Sequence, residues 1–433
     1  MAIQALLVIL AVLLVLLFLG VPISYAIAVS SLTAILSSID LNVAVLTAAQ
    51  RTFVGMSKFS LTAIPFFILA GNIMNQGGIA KRLVDFVMSI LGKLPGALLI
   101  TNVGTNALFG AISGSASAAA AAVGSMIRDG ADEQGYDPAV TAATNAASSC
   151  SGLLIPPSNA LITFSLASGG TSVAALFMAG YIPGIIWALA CAVVAVILAK
   201  KLGYQGTPGR FDWKNLGICT LRALPSLSLI IVVIGGIVGG VFSATEGSAI
   251  AVVYALILAF CYRSINRKSL WKIIVDSAKM SGMVVFLVGV SNILGWVMAF
   301  LQIPDAVAAL LLGLTNNKYI ILLIMNVILL VSGTFMDVTP AILIFTPLFL
   351  PICQSFGMST IQFGLILVYN LCIGNITPPV GNALFVGIKV GRTSLSKVMP
   401  YMLMYYAAII AGLLLVTFIP AVSMALPQAM GLV

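Results

Sequence analysis

Long apolar runs, separated by short polar segments, extend along nearly the whole chain. The clearest runs cover residues 2–18, 20–38, 61–75, 94–112, 173–199, 223–243, 246–262, 281–301, 319–334, 341–355, 361–373 and 400–425. A helix needs roughly 17–25 residues to cross a bilayer, so the shorter runs predict half-helices or re-entrant segments. The runs are too continuous for the strands of an outer-membrane barrel. The pattern therefore predicts about eleven to twelve helical membrane elements.

One pattern of small and proline residues occurs twice, 222 residues apart. Residues 150–157 and 372–379 both begin Cys-x-Gly and end Pro-Pro, and Asn-Ala-Leu follows at 159–161 and at 382–384. Glycine and proline interrupt helices, so each copy predicts a broken helix. Matched breaks in two halves of an apolar chain are typical of secondary transporters, which bind ions and substrate at the breaks, near the bilayer midplane.

The chain divides into two similar halves. The first repeat covers 1–199, with scaffold helices in 1–60 and a hairpin and broken helix at about 105–170. The second covers 223–433, with scaffold helices in 223–280 and a hairpin and broken helix at about 325–395. A hydrophilic hinge over 200–222 joins them, and Gly203, Gly206, Pro208 and Gly209 favour a loop there. The sequence predicts an all-α polytopic membrane protein with re-entrant hairpins and discontinuous helices, whose repeats are inverted if each has an odd number of crossings.

Composition excludes several classes of protein. The chain is 61% hydrophobic and 7% charged, whereas about a quarter of the residues in a soluble protein are charged. It contains no histidine, which removes Ser-His-Asp and Cys-His nucleophiles, HExxH zinc sites and histidine proton relays. It also has no Walker A motif, so ATP does not drive a process within this chain. We therefore expect no enzyme.

The net charge of +9 does not indicate nucleic-acid binding, because the basic residues are gathered in short loops. The two clusters comprise Lys200, Lys201, Arg210, Lys214 and Arg222, and Arg263, Arg267, Lys268 and Lys272. By the positive-inside rule both loops are cytoplasmic. Five other cations, Arg51, Lys58, Lys81, Arg82 and Lys93, are interpreted as interfacial or partner-facing; binding a substrate carboxylate is the alternative.

Two candidate cages arise where each hairpin tip meets the break of its repeat. The first combines 113–117 with 151–159, and the second combines 333–339 with 374–379. Carbonyl and hydroxyl oxygens are hard donors that suit sodium, and the N-termini of half-helices suit an anion. Small residues also pack helices closely, and a proline pair also forms simple kinks. The recurrence of tip and break at one offset favours the site.

Two acidic residues lie within the apolar regions. Asp337 follows the second tip, and an acid in apolar surroundings is functional by default. Its two possible roles are sodium ligand and proton carrier. Glu246 opens a helix near a membrane boundary, where an acid favours the helix N-terminus.

Several stretches together resemble the large membrane subunit, the M subunit, of tripartite ATP-independent periplasmic (TRAP) transporters. The matching stretches are 63–71, 113–115, 155–158, 245–247 and 377–381, and the likeness extends over about 5–425. The resemblance implies a multi-pass protein of the bacterial inner membrane that uses an elevator mechanism. It implies sodium-driven uptake of an acidic solute, either sialic acid or a C4-dicarboxylate, with a slight preference for sialic acid. The implied partners are a separate small four-helix membrane subunit, a periplasmic substrate-binding protein and membrane lipid, but no nucleic acid.

The resemblance also implies site residues. It places two or more sodium ions at Ser113, Ser115, Ser151, Leu154 and Pro156 and at Gly333, Asp337, Thr339, Gly374 and Thr377. It places the substrate near Ser158, Asn159, Gly381 and Asn382. One departure concerns an acid expected just after the first tip, where this chain has alanine at 118–120. Asp337 is thus expected to serve one site only.

Two other hypotheses remain beside sodium-coupled uptake. A stand-alone organic anion carrier would use Asp337 to couple uptake to protons. An intramembrane enzyme or a scaffold without transport is disfavoured, because neither requires two matched helix breaks.

Overall fold

The computed structural model describes residues 2–206, 212–315 and 317–433, and every regular element in them is helical. The helices before the hinge are α1 (Ala2–Phe18), α2 (Ile23–Ile35), α3 (Leu41–Met56), α4 (Ala63–Gln76), α5 (Ile79–Leu91), α6 (Ala97–Ser113), α7 (Ala116–Glu133), α8 (Pro138–Ser149), α9 (Ser151–Leu154), α10 (Asn159–Ala167) and α11 (Val173–Leu202). Those after it are α12 (Trp213–Val238), α13 (Ala244–Cys261), α14 (Arg267–Phe300), α15 (Ile303–Leu314), α16 (Lys318–Gly333), α17 (Val338–Ser355), α18 (Thr360–Asn375), α19 (Asn382–Val390), α20 (Leu395–Phe418) and α21 (Pro420–Ala429).

Helices extend into both ends of the segment expected to be a hinge. α11 continues to Leu202, and α12 begins at Trp213, where Asp212 accepts hydrogen bonds from two backbone N–H groups. The predicted loop formers Pro208 and Gly209, and the basic residue Arg210, lie outside the described residues.

Seven of the helices in the described ranges are long and apolar enough to cross a membrane, namely α11, α12, α13, α14, α16, α17 and α20. The number becomes nine if two bent pairs are each counted as one span: α3 with α4, bent by 60°, and α8–α9 with α10, bent by 47°. Of the first pair, α3 is followed by a 3₁₀ turn at Phe59–Thr62, which leads directly into α4. These helices confirm the predicted polytopic all-α fold.

Each half contains a helical hairpin that packs on a broken helix. In the first half α6 and α7 meet at Gly114, and α8–α9 is followed by α10. In the second half α16 and α17 form the hairpin, and α18 is followed by α19. The backbones nearly touch where tip and break cross, because a Cβ on Gly152 would come within 2.1 Å of the Gly110 Cα and one on Gly374 within 2.3 Å of the Gly333 carbonyl carbon. Both proline pairs are joined by a cis peptide bond.

The two hairpins enter from opposite sides of the protein. Tyr204 lies just beyond the basic end of α11, where its carbonyl accepts a hydrogen bond from the Gly96 N–H and its hydroxyl accepts one from the Asp137 N–H. Gly96 precedes α6 and Asp137 follows α7, so the base of the first hairpin lies at that end. Tyr401, near the start of α20, also reaches Asp137, whereas the ring of Tyr319 at the base of the second hairpin packs on Phe418, at the opposite end of α20. The repeats are therefore inverted, with the first hairpin open to the cytoplasm by the positive-inside rule.

A second layer of helices surrounds this core. α3 packs on α14 and α4 on α13. The contact between α3 and α14 is close, since a Cβ on Gly55 would lie 2.5 Å from the Asn292 amide nitrogen. Glu246 closes a capping box with Ser243 at the start of α13, which confirms its interpretation as an N-terminal helix charge.

The close approach of Gly152 to Gly110 leads to a prediction about stability. Gly152→Ala would place a methyl group within 2.1 Å of the Gly110 Cα, and overpacking of this kind costs about 1–3 kcal/mol or more. We expect a clearly lower thermal unfolding midpoint in detergent. Gly235→Ala in α12 is the matched control, because a Cβ there meets nothing within 4 Å; equal midpoints for the two variants would contradict the close crossing.

Candidate substrate and ion site

One cavity brings the two halves together. It encloses about 680 Å³, open solvent at its mouth included. Residues from both hairpin tips, from the first break and from the end of α18 line it, together with residues of α4 and α14. The lining comprises Ile64, Ile68, Gly114, Ser115, Ala116, Ser117, Leu153, Asn159, Ala160, Thr163, Met280, Val284, Asp337, Val338, Thr339 and Asn375.

Three helices begin at this cavity. Ala116, Asn159 and Val338, the first residues of α7, α10 and α17, all line it. The unpaired N–H groups of a helix start carry partial positive charge, so three such starts favour an anion. The cavity can therefore attract a small anionic molecule without a basic side chain in its wall.

The first tip is closed by its own short polar side chains. Gly114 adopts a left-handed conformation with φ 62°, and Ser115 caps α7 by accepting from the Ala118 N–H at 3.3 Å. The Ser113 hydroxyl donates to the Ser115 carbonyl at 3.4 Å. The Asn159 amide donates to the Gly114 carbonyl at 3.4 Å, so tip and break are linked directly.

The first break is held by serine hydroxyls. Ser158 donates to the Leu153 carbonyl and caps α10 by accepting from the Leu161 N–H. The Ser151 hydroxyl donates to the Ser148 carbonyl at 2.7 Å. The Leu154 carbonyl lies against α11, where a Cβ on Gly180 would approach its oxygen to 2.3 Å.

The second break is linked to its own tip by backbone. The Val380 N–H donates to the Thr334 carbonyl at 3.1 Å. The Thr377 hydroxyl donates to the Ile373 carbonyl at 2.7 Å, and Tyr406 donates to the Ile376 carbonyl at 2.6 Å. Gly381 has φ 23°, and a Cβ there would lie 2.8 Å from the Thr377 oxygen, so this turn requires glycine.

Asp337 lies at the cavity and not within apolar packing. It precedes α17, its side chain forms no capping hydrogen bond, and it is exposed. The reason is geometric: a residue at the tip of a re-entrant hairpin leaves the helix bundle and meets the open space between the two layers. Its carboxylate is thus available to a cation or a proton in the cavity.

The structure brings some of the predicted residues together and separates others from the cavity. Four of them line it: Ser115, Asp337, Thr339 and Asn159. The others do not line it: Ser113, Ser151, Leu154, Pro156, Ser158, Gly333, Gly374, Thr377, Gly381 and Asn382. Among the described residues no three His, Cys, Asp or Glu side chains gather, so a cation here would depend on carbonyl and hydroxyl oxygens.

Sequence reasoning missed the buried amides that support both tips. The Asn106 side-chain amide of α6 donates to the Asn145 side-chain oxygen at 3.0 Å and to the Ser148 hydroxyl at 2.9 Å. In the second half, Asn370 donates to Asn326 at 2.9 Å. The Asn375 side-chain oxygen is buried without a hydrogen-bond partner at the edge of the cavity. Asparagines inside apolar runs were the available signal, because polar groups in a membrane interior need partners.

The inverted repeats, the re-entrant tips and the shared cavity define a secondary transporter of the inner membrane. The family model described as "Tripartite ATP-independent periplasmic transporter, DctM component" matches residues 10–422. The chain belongs to this family, and it is a transport protein and not an enzyme. Transporters of the family work with a small membrane subunit and a periplasmic binding protein.

Similar proteins agree with the family. The chain is 49% identical to the uncharacterized protein YgiK of Salmonella typhimurium over 94% of each chain. It is 37% identical to the isethionate TRAP transporter permease protein DctMQ of Oleidesulfovibrio alaskensis, over 94% of this chain and 64% of that protein. It is 36% identical to the C4-dicarboxylate TRAP transporter large permease protein DctM of Pseudomonas aeruginosa over 93% of each.

A solved structure supports the fold alone. The YdaH transporter of Alcanivorax borkumensis, described as having an unusual topology, superimposes with a TM-score of 0.63 at 15% identity. The match covers 88% of this chain and 89% of that one.

The cap at the first hairpin tip leads to a prediction about stability. Ser115→Ala removes the cap of α7, which costs about 0.5–2 kcal/mol, so we expect a lower unfolding midpoint. Ser117→Ala is the matched control, because Ser117 lines the cavity inside the first turn and is not the capping residue. Unfolding of both variants in detergent, followed by intrinsic fluorescence, measures the difference; an unchanged midpoint for Ser115→Ala would show that the cap contributes nothing.

Proposed function

We propose that this chain is the large membrane subunit of a sodium-coupled importer of small organic anions. A single observation carries the proposal: three helix N-termini and one free carboxylate, that of Asp337, meet in one cavity between the two layers of helices. The N-termini favour the anion, and the carboxylate favours a cation bound with it. Symport of the two is the function that this pairing supports best.

Where each hairpin tip crosses the break of its repeat, the available donor atoms suit sodium better than a softer ion. The tips and breaks supply backbone carbonyls and hydroxyls, which are hard oxygen ligands. We propose two or more sodium ions, at the sets around Gly110 with Gly152 and around Gly333 with Gly374. Asp337 stands next to the second set only, so the second site should be the more sensitive to loss of its charge.

Similar proteins indicate the class of solute. Isethionate and C4-dicarboxylates, named for two relatives, are small organic anions. Sialic acid, implied by the sequence resemblance, belongs to the same class and stays a prediction. All three present an anionic group that would suit the helix N-termini of the cavity.

Delivery and assembly follow the family pattern. We propose that a periplasmic binding protein supplies the solute and that a small four-helix membrane subunit covers part of the scaffold. Exposed apolar side chains on α12 and α13, among them Leu221, Ile231 and Val253, offer such a surface within the bilayer. Lipid would cover the remainder.

The two layers suit an elevator movement. The hairpins and broken helices pack on one another and on α11, whereas α3 and α4 pack on α14, and α13 packs on α4. The cavity lies between these groups and touches α14 at Met280 and Val284. We propose that the first group carries the site along the second.

Uptake into proteoliposomes tests the proposal. They would contain this chain with its small subunit, and labelled isethionate, succinate and sialic acid would be offered outside with matching binding proteins. We expect uptake that needs both an inward sodium gradient and a binding protein at fixed pH. Uptake driven by a proton gradient alone, without a binding protein, would replace this function with the stand-alone carrier.

Asp337→Asn distinguishes the two coupling ions in the same vesicles. If sodium couples, the variant should need a higher sodium concentration for half-maximal uptake, because a charge next to a cation site is lost. Under proton coupling it should lose its pH dependence, and removing sodium should matter little.

The elevator movement has its own test. Ser117→Cys and Val284→Cys face the same cavity from opposite layers, in a background in which the exposed Cys261 is replaced by alanine. Joining the two thiols with a flexible dimaleimide should abolish uptake, whereas each single variant treated alike should retain it. Full uptake after complete crosslinking would disprove relative movement of the layers.

A further inference from the structure

A second cavity lies between the two layers, and residues of α14 line it as they line the first cavity. It encloses about 970 Å³, open solvent included. Arg51 and Lys58, which flank the end of α3, line it together with Asn292 and Trp296 of α14 and apolar residues of α17. None of the residues that carry the proposed function belongs to it.

The charged side chains that line this cavity are all positive. Arg51 and Lys58 are exposed, and no acidic residue lines the cavity. Within residues 2–206, 212–315 and 317–433, the salt bridge that forms joins Arg128 to Asp132. The two cations therefore face an open space without a carboxylate.

The packing of α3 on α14 positions these cations. A Cβ on Gly55 would lie 3.0 Å from the Gly289 Cα, so the two helices approach each other closely where each has a glycine. One turn away, the Arg51 guanidinium lies over the Trp296 ring at 5.8 Å. An aromatic face beneath an arginine orients its donors and lowers the cost of holding them in one place.

The cavity lies on the extracytoplasmic side. α14 starts at the basic, cytoplasmic residue Arg267, and Trp296 follows about 44 Å further along the helix at 1.5 Å per residue. Asn292 lies about 18 Å beyond Met280, which lines the first cavity, by the same rise. The positive cavity is thus next to the first one on the path from the outside.

We propose that this cavity, here named the vestibule, is a receiving site for the anionic group of the solute before it reaches the first cavity. Arginine offers a fork of donors that matches a carboxylate, and lysine adds a second charge. Leu343 and Pro347 supply an apolar wall for the carbon skeleton. The role of these cations as solute ligands rests on the proposed import of organic anions, whereas their attraction of anions does not.

Snorkelling toward lipid head groups is the competing account. It would place the charges at the outer surface of a helix, whereas both cations line a concave space between two layers. An anionic lipid head group would nevertheless share the chemistry. The test therefore uses phosphatidylcholine nanodiscs, which carry no net charge, and repeats the measurement with phosphatidylglycerol.

Quenching of Trp296 by iodide measures the vestibule without any transport. In the full chain, Trp213→Phe and Trp271→Phe remove two exposed indoles, which leaves Trp296 and the fully buried Trp187. A positively charged cleft raises the local anion concentration by about tenfold or more, so iodide should quench far better than uncharged acrylamide. Added salt should remove the difference.

The variant Arg51→Gln/Lys58→Gln should bring iodide quenching down to the acrylamide level. Lys318→Gln is the control, because Lys318 is also an exposed cation beside an aromatic ring, at 5.2 Å from the centroid of Tyr319, but outside the vestibule. Unchanged iodide quenching in the double variant would overturn the proposal. Loss of the effect in phosphatidylglycerol, with no displacement of iodide by any of the three solutes, would assign the site to lipid instead.

Uptake provides the second readout. At solute concentrations well below saturation the double variant should take up solute at least about tenfold more slowly, as expected for lost electrostatic steering, with an unchanged sodium requirement. A normal rate at low solute would refute the receiving role. If the unmodified protein imports none of the anions, the proposed function fails, while the iodide result still decides whether the vestibule attracts anions.

Discussion

The structure depends on one constraint, which is that interrupted backbone cannot face lipid. Each unpaired peptide group in hydrocarbon costs several kcal/mol, yet this chain interrupts four helices near its centre. The interruptions are tolerated because tip and break of each repeat bury one another, at Gly110 with Gly152 and at Gly333 with Gly374. Buried asparagines and serines supply hydrogen bonds around them.

That constraint also explains the electrostatics of the site. Helix starts that must avoid lipid are gathered in one place, and their N–H groups give that place a positive potential. Asp337 adds a negative charge on one side only. In the proposed function, an anion and a cation bound together in such a cavity would each offset the cost of desolvating the other. This pairing is the basis of the sodium-coupled import that we propose.

The positive vestibule extends the same logic outward. Arg51 is held over Trp296 by close packing of α3 on α14, on the scaffold and not on the hairpins. In the proposed elevator movement, a charge on the scaffold layer would receive a solute without moving with it. Field lines from two cations in a low-dielectric cleft reach further than they would on a flat surface. The solute would then pass from fixed to moving groups over roughly the length of a few helical turns.

The sequence by itself determined the all-α membrane fold, the two repeats and the places where their helices break, because hydrophobic run length, glycine and proline act locally. The hairpin tips and Ser115, Asn159 and Asp337 were predictable for the same reason. Tertiary structure alone decided that both tips open into one cavity, that Ser158 and Thr377 bond to nearby carbonyls, and that Asp337 is exposed. It also decided that Arg51 and Lys58 share a concave space. The shared cavities join residues far apart in the chain, and the short-range bonds of Ser158 and Thr377 depend on how each break is folded. No local pattern records which helices will pack against each other.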